Sequence, residues 1–155
     1  DILLMEAEAL AELKGAASAG DICNLIDQLR DRCGAGKVNR ENYTTKENLI
    51  NLVRNERRIE LANEGLRYFD IIRWKQAELN TVKYGVGLVG PMYGAKMEQV
   101  DEKAPGYADP TVMVDGVKRR LVEQRYFNPA RNYLFPIPQS ERDLNTALTQ
   151  NSGWD

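Results

Sequence analysis

The chain has no histidine, only two cysteines and almost no excess of charge, with 21 basic against 23 acidic side chains and a formal net charge of −2. Without histidine it lacks the usual acid–base catalyst of neutral pH and the commonest zinc ligand. There is no C-x-x-C pair either, so no structural zinc site is expected, and a hard cation would need carboxylates and loop carbonyls. Balanced charge leaves no basic footprint for nucleic acid. No apolar run reaches transmembrane length, and no signal peptide opens the sequence. The reading therefore carries no cofactor and no metal. What remains is 155 residues with 43% apolar content, enough for one sizeable core.

The cysteines add a further negative. Cys23 and Cys33 fall on one predicted helix, Asp21 to about Arg32, whose apolar stripe is Ile22, Leu25, Ile26 and Leu29. At about 1.5 Å of rise per residue they stand about 15 Å apart, beyond disulfide reach, and both read as free thiols.

The most informative segment is Asn55 to Trp74, which threads arginines and acids through an apolar helix–turn–helix pattern. Thr44 followed by Glu47 has capping-box spacing, and Leu49, Ile50 and Val53 continue at helical intervals, so a helix is predicted from near Thr45. Gly65 is placed to end it, with Leu66 folding back on Leu61 in a Schellman closure. A second helix, Leu66 to about Gln76, carries Phe69, Ile71, Ile72 and Trp74 around most of its circumference and is expected to be buried. Glu56, Glu60 and Glu64 stack on one face of the first helix, which is unfavourable unless cations interleave. Arg57, Arg67 and Arg73 are the candidates, and Asp70 lies three residues from both Arg67 and Arg73. These seven residues are read as a structural ion network rather than a catalytic acid–base pair. Removing Glu60 is expected to cost about 3–5 kcal/mol if it leaves a buried arginine without its partner.

The fold class follows as mainly α: tetratricopeptide-like helical hairpins, then a long irregular segment with one small β-hairpin. Residues 1–76 read as four helices in two hairpins separated at Gly15, Gly20, Gly34 and Gly36. Residues 77–155 form the irregular part, with a loop over 77–110 and a hairpin over 112–120 around Asp115-Gly116. A helical turn capped by Ser140 is expected near the end. The apolar pattern starts at Ile2 without a capping segment, so the chain reads as a portion of something longer, with the outer face of its first helix packing on a missing neighbour.

Gly85-Val86-Gly87-Leu88-Val89-Gly90 matches G-x-G-x-x-G literally, but a dinucleotide site needs a helix opening at the third glycine, and Pro91 and Gly94 follow instead. It is read as a flexible surface loop. Tyr84, Tyr93 and Tyr107 sit among the glycines of the 77–110 loop and are the local candidates for stacking on a sugar.

Three blocks carry a family resemblance. Glu56-Arg57-Arg58, Glu60-Leu61-Ala62, Glu64-Gly65, Arg67, Phe69-Asp70 and Arg73-Trp74 form the first. Tyr133 to Glu141, Asp143-Leu144-Asn145, Leu148 to Asn151 and Gly153-Trp154 form the second, and Met5 to Leu10 with Ile26 to Arg30 the third. Together they resemble the SusD/RagB family, the outer-membrane nutrient-binding lipoproteins of Bacteroidetes, with departures at Asn63 and Leu66. The resemblance implies non-catalytic capture of an oligosaccharide or other nutrient at the outer membrane. It also implies a lipid anchor in a missing N-terminal part and a SusC-like TonB-dependent transporter as partner. Two alternatives stand beside it: a helical-repeat interaction scaffold, and a glycoside hydrolase using Glu60, Glu64 or Asp70.

Overall fold

The computed structural model describes residues 1–81, 86–96, 111–114 and 117–154. The chain divides into two compact units, Asp1–Tyr68 and Phe69–Asp155.

In the first unit, α1 (Ile2–Leu13), α2 (Ala19–Cys33) and α3 (Lys46–Glu60) are joined by the short 3-10 turns Gly15–Ser18 and Arg40–Asn42. α1 packs on both α2 and α3. It can do so because its inward face is Leu4, Ala7 and Ala11, mostly methyl groups that let the neighbouring helices come close. Against it lie Ile22, Cys23 and Ile26 of α2 and Leu49, Leu52 and Val53 of α3, with Val38 closing the core from the connecting segment. Gly15 takes φ +57°, and a Cβ there would lie 3.1 Å from Lys46 Cβ, so the turn after α1 needs glycine twice over. Ile2, Met5 and Leu13 point outward on α1.

Two details of α3 differ from the sequence expectation. Thr45, not Thr44, caps the helix, its Oγ1 accepting from Asn48 N–H at 3.2 Å. Glu47 is then one residue too early to complete a capping box. The helix also ends at Glu60 instead of reaching Gly65. Asn63 (φ +66°) and Gly65 (φ +76°) both turn left-handed, and two such residues in a row of three cannot continue a helix. The predicted Schellman closure at Gly65 is accordingly not formed.

α4 (Arg67–Arg73) follows as a helix of 7 residues. Asp70 and Ile71 are buried, whereas Tyr68 and Phe69 are exposed, so the expected burial on all sides is corrected to one buried edge.

The second unit contains β1 (Gly90–Lys96), β2 (Thr111–Val114), β3 (Val117–Arg125) and α5 (Gln139–Leu144). The strands form one antiparallel sheet in the order β1-β3-β2. β2 and β3 are the predicted hairpin, pairing Val114 with Val117, while turn residues 115 and 116 lie outside the described residues. β1 is an addition from within the segment read as irregular. Its pairing with β3 shifts register on both sides of Tyr93, and such bulges erase the two-residue alternation by which a strand is read. α5 starts after Pro138 with no side-chain cap, and Ser140 sits within its first turn rather than capping it.

Candidate functional site

The charged residues of α3 continue its core stripe. Leu49, Leu52, Val53, Glu56 and Arg57 are its buried positions, spaced as one helical face. Glu56, 4% exposed, accepts from both Arg30 Nη2 and Arg30 Nε of α2, the latter at 3.2 Å. The hydrogen bond to Glu56 is the largest influence raising the Arg30 pKa. Arg57 donates to Asp1 Oδ1 at 2.9 Å, and Glu8 Oε2 lies 3.8 Å from its Nε. Asp1 precedes α1 in the N-cap position without a side-chain capping bond, its carboxylate being engaged by Arg57 instead.

The remaining acids and arginines of the sequence reading are placed differently. Glu60 pairs with Arg32 of α2, whose side chain is 70% exposed. That exposure lowers the expected cost of losing Glu60 to the range of a surface pair. Asp70 is buried and accepts from Arg73 Nε at 2.9 Å. Glu64 is exposed and Arg67 half-buried. Among the described residues no cluster of three or more His, Cys, Asp or Glu could hold a metal ion.

Asp27 is a polar anchor that the sequence reading passed over. It lies on the buried face of α2, accepts from Val38 N–H at 2.8 Å through Oδ1 and from Arg40 at 2.9 Å through Oδ2, and so ties the segment between α2 and α3 to the core. Burial is the largest single influence and pushes its pKa up. The Val38 and Arg40 hydrogen bonds and the Arg40 charge together outweigh it, so the carboxyl titrates below its ordinary value. An aspartate four residues after Cys23 on the Ile22–Ile26 face was the available signal.

In the second unit, residues 126–154 are mostly irregular and are held by side chains bonded to backbone. Gln150 brackets Ile137, accepting from its N–H at 2.7 Å and donating to its C=O at 3.0 Å. Asn151 donates to Phe135 O at 2.7 Å, and Asn132 accepts from Asn128 N–H at 2.8 Å. Trp154 Nε1 donates to Arg131 O and Leu134 O, while the Arg131 guanidinium covers its ring at 4.4 Å. Arg73 lies over Trp74 at 4.8 Å, and Lys75 over Tyr133 at 4.0 Å, with Phe127 edge-on to Tyr133. Cations thus occupy one face of each of these three rings.

Of the three loop tyrosines, Tyr93 lies half-buried on β1 opposite Leu121, and Tyr84 and Tyr107 lie outside the described residues. The glycine-rich motif opens a strand at Gly90, not a helix. Its described part is packed rather than loose. Leu88 N–H donates to Ala77 O at 2.8 Å and Thr81 N–H to Val89 O at 2.7 Å, and a Cβ at Gly87 would collide with the Leu79 carbonyl. These glycines serve close backbone approach, which sequence alone cannot separate from flexibility.

Among the described residues no helix is long and apolar enough to cross a membrane. The family model described as "SusD family" matches residues 1–154. SusD-like protein P38 of Formosa agariphila is 30% identical over 103 residues, covering 64% of this chain and 19% of that protein. SusD-like protein P2 of the same organism is 27% identical over 157 residues, covering 98% of this chain and 24% of that protein. The chain therefore spans at most about a quarter of the length of these relatives. No solved structure is a significant match. Because the family model runs from the first residue to the last but one, through the Glu56–Trp74 block and the clasped C-terminal segment alike, the chain belongs to the SusD family.

Proposed function

We propose that this chain contributes to non-catalytic capture of glycan or a similar nutrient at the bacterial outer membrane, in a surface lipoprotein that works with a SusC-like TonB-dependent transporter. The observation that carries the reading is the family match over residues 1–154. The state of the acids supports it: of the three carboxylates a hydrolase would use, Glu60 and Asp70 are engaged by Arg32 and Arg73, and Glu64 is exposed. In this reading the helical unit is scaffold, and Tyr84, Tyr93 and Tyr107 supply sugar contacts. Isothermal calorimetry of the full-length protein with a panel of soluble polysaccharides tests it, with saturable binding and no release of reducing ends expected. Hydrolysis of the bound glycan, or no binding to any member, overturns it. Co-purification of the tagged protein with a TonB-dependent transporter from detergent-solubilised membranes tests the partner.

The exposed Ile2, Met5 and Leu13 on α1 favour a second reading, a helical-repeat surface that holds another protein segment. Light scattering of the chain at rising concentration, with binding of a hydrophobic dye, checks it. A strict monomer that binds no dye counts against it.

A further inference from the structure

α4 closes on a residue ill suited to the position. Trp74 N–H still donates to Asp70 O at 3.0 Å, and then Gln76 N–H reaches back to Ile71 O at 3.0 Å and Lys75 N–H to Ile72 O at 3.1 Å. This is a Schellman closure, and its left-handed position, usually given to glycine, is taken by Lys75 at φ +54°. There the Cβ of an L-residue crowds the carbonyl that follows it. The bonds that close the turn are all backbone bonds, which glycine would make as well, so the turn itself has no use for the lysine side chain.

That side chain leads to the C-terminal segment. Lys75 Nζ stands 4.0 Å from the centre of the Tyr133 ring. Lys75 is exposed and Tyr133 half-buried, with Phe127 edge-on to its ring at 4.9 Å. Burial pushes the Tyr133 hydroxyl pKa up and the Glu78 charge adds to it, which sets that hydroxyl beside the residues following the turn. The bonds around Tyr133 close within the segment: Asn132 with Asn128, Gln150 with Ile137, Trp154 with Arg131 and Leu134. The Lys75 contact runs out of it, to the end of α4. Lys75 directly follows the Arg73-Trp74 pair of the first family block, and Tyr133 opens the second.

We propose that Lys75 and Tyr133 form a latch that straps residues 126–154 to the end of α4, and that the latch is poised to open. The ammonium covers the ring only while Lys75 stays left-handed. Once the strap lifts, Lys75 is free to leave that region, and the last turn of α4 loosens with it. The two effects are similar in size and opposite in sign. An exposed cation on a ring favours closure about twofold to fivefold, and the left-handed backbone of a residue with a Cβ opposes it about fivefold or more. The strap therefore opens ahead of β3, whose backbone is paired on both sides.

Residue-resolved hydrogen exchange by NMR on the protein and its Lys75→Gly and Lys75→Gln variants tests the latch. In the parent the amides of Asn132, Leu134 and Ile137 should exchange faster than the paired amides of β3. Lys75→Gly removes the strain and the ring contact together. Gln76 should then exchange about fivefold slower, while Asn132, Leu134 and Ile137 exchange about twofold to fivefold faster. Lys75→Gln keeps the strain and loses the charge, so the strap should speed up by the same factor with no slowing at Gln76. Because Lys75 is exposed, both variants should fold as the parent does. Slower exchange at Gln76 and in the strap alike in Lys75→Gly would show that Lys75 only strains a turn, and would overturn the latch. An unchanged strap in Lys75→Gln would overturn it too, and strap amides no faster than those of β3 in the parent would overturn its poised opening.

Discussion

The two units of this chain solve the same problem, satisfying buried polar groups, by opposite means. In Asp1–Tyr68 the backbone satisfies itself within α1, α2 and α3, and the polar load is carried by side-chain pairs such as Arg30–Glu56 and Arg57–Asp1 placed on the core stripe. In Phe69–Asp155 long stretches have no regular partner, and side-chain amides take the place of secondary structure at Ile137, Phe135 and Asn128. A helix frees side chains to pair with one another, whereas an extended segment must spend them on its own N–H and C=O groups. Charge is thus the vulnerable element of the first unit, and the vulnerable element of the second is the amide.

The largest expected effect is on the first unit. Glu56→Ala leaves Arg30 without its principal acceptor and opens a charged position beside Val53, so a loss of about 3–5 kcal/mol is expected in urea unfolding followed by circular dichroism. Cys23, buried behind Ile22 and Ile26, should report the same loosening: maleimide should label only Cys33 in the parent and both thiols, slowly, in the variant. Prompt labelling of both cysteines in the parent would break the picture of a closed helical core.

In the second unit Gln150→Ala removes both hydrogen bonds to Ile137 at once. A cost of about 1–3 kcal/mol is expected, confined to the C-terminal segment and visible as faster amide exchange from about residue 134 to 154. Faster exchange in α1 and α2 instead would erase the contrast drawn here.

A pH experiment sharpens it further. The folded carboxyl of Asp27 titrates below its ordinary value, so its contribution is fully present above the unfolded pKa and is lost as pH falls through the folded one. The first unit should therefore lose stability below about pH 4, near the ordinary carboxylate value. Asp27→Asn, still able to accept from Val38 N–H, should be less stable at neutral pH and show a flatter acid limb. An unchanged acid limb would mean that the Arg40 pair contributes nothing.

The smallest effect is expected at Glu60. Its partner Arg32 is largely exposed, so Glu60→Ala should cost about 1 kcal/mol or less, a shift of a few degrees in melting temperature. A loss as large as that of Glu56→Ala would show the α2–α3 pairs to act as one network.

Much of this division was legible before the structure. The spacing of Leu49, Ile50 and Val53 with Glu56 and Arg57 announced a helix that buries charge, and the β2–β3 hairpin followed from its two-residue turn signal. The ends of α3 differ from the sequence expectation because Thr44 and Thr45 offer the same capping hydroxyl, and because Asn63 turns left-handed ahead of Gly65. β1 was missed because its bulges break alternation.

The features that follow from the residues alone are local and periodic: the helices of the first unit, the free thiols of Cys23 and Cys33, and the residue blocks that mark the family. Only the folded chain settles which acid meets which arginine, that Asp27 anchors Val38, that Gly87 is packed against Leu79, and that Tyr126 is exposed while Tyr93 is half-buried. The reason is physical. Hydrogen-bond periodicity along a helix is written in neighbouring residues, whereas ion pairs, close backbone approach and exposure in a bulged sheet depend on residues from eight to 56 positions apart being brought together.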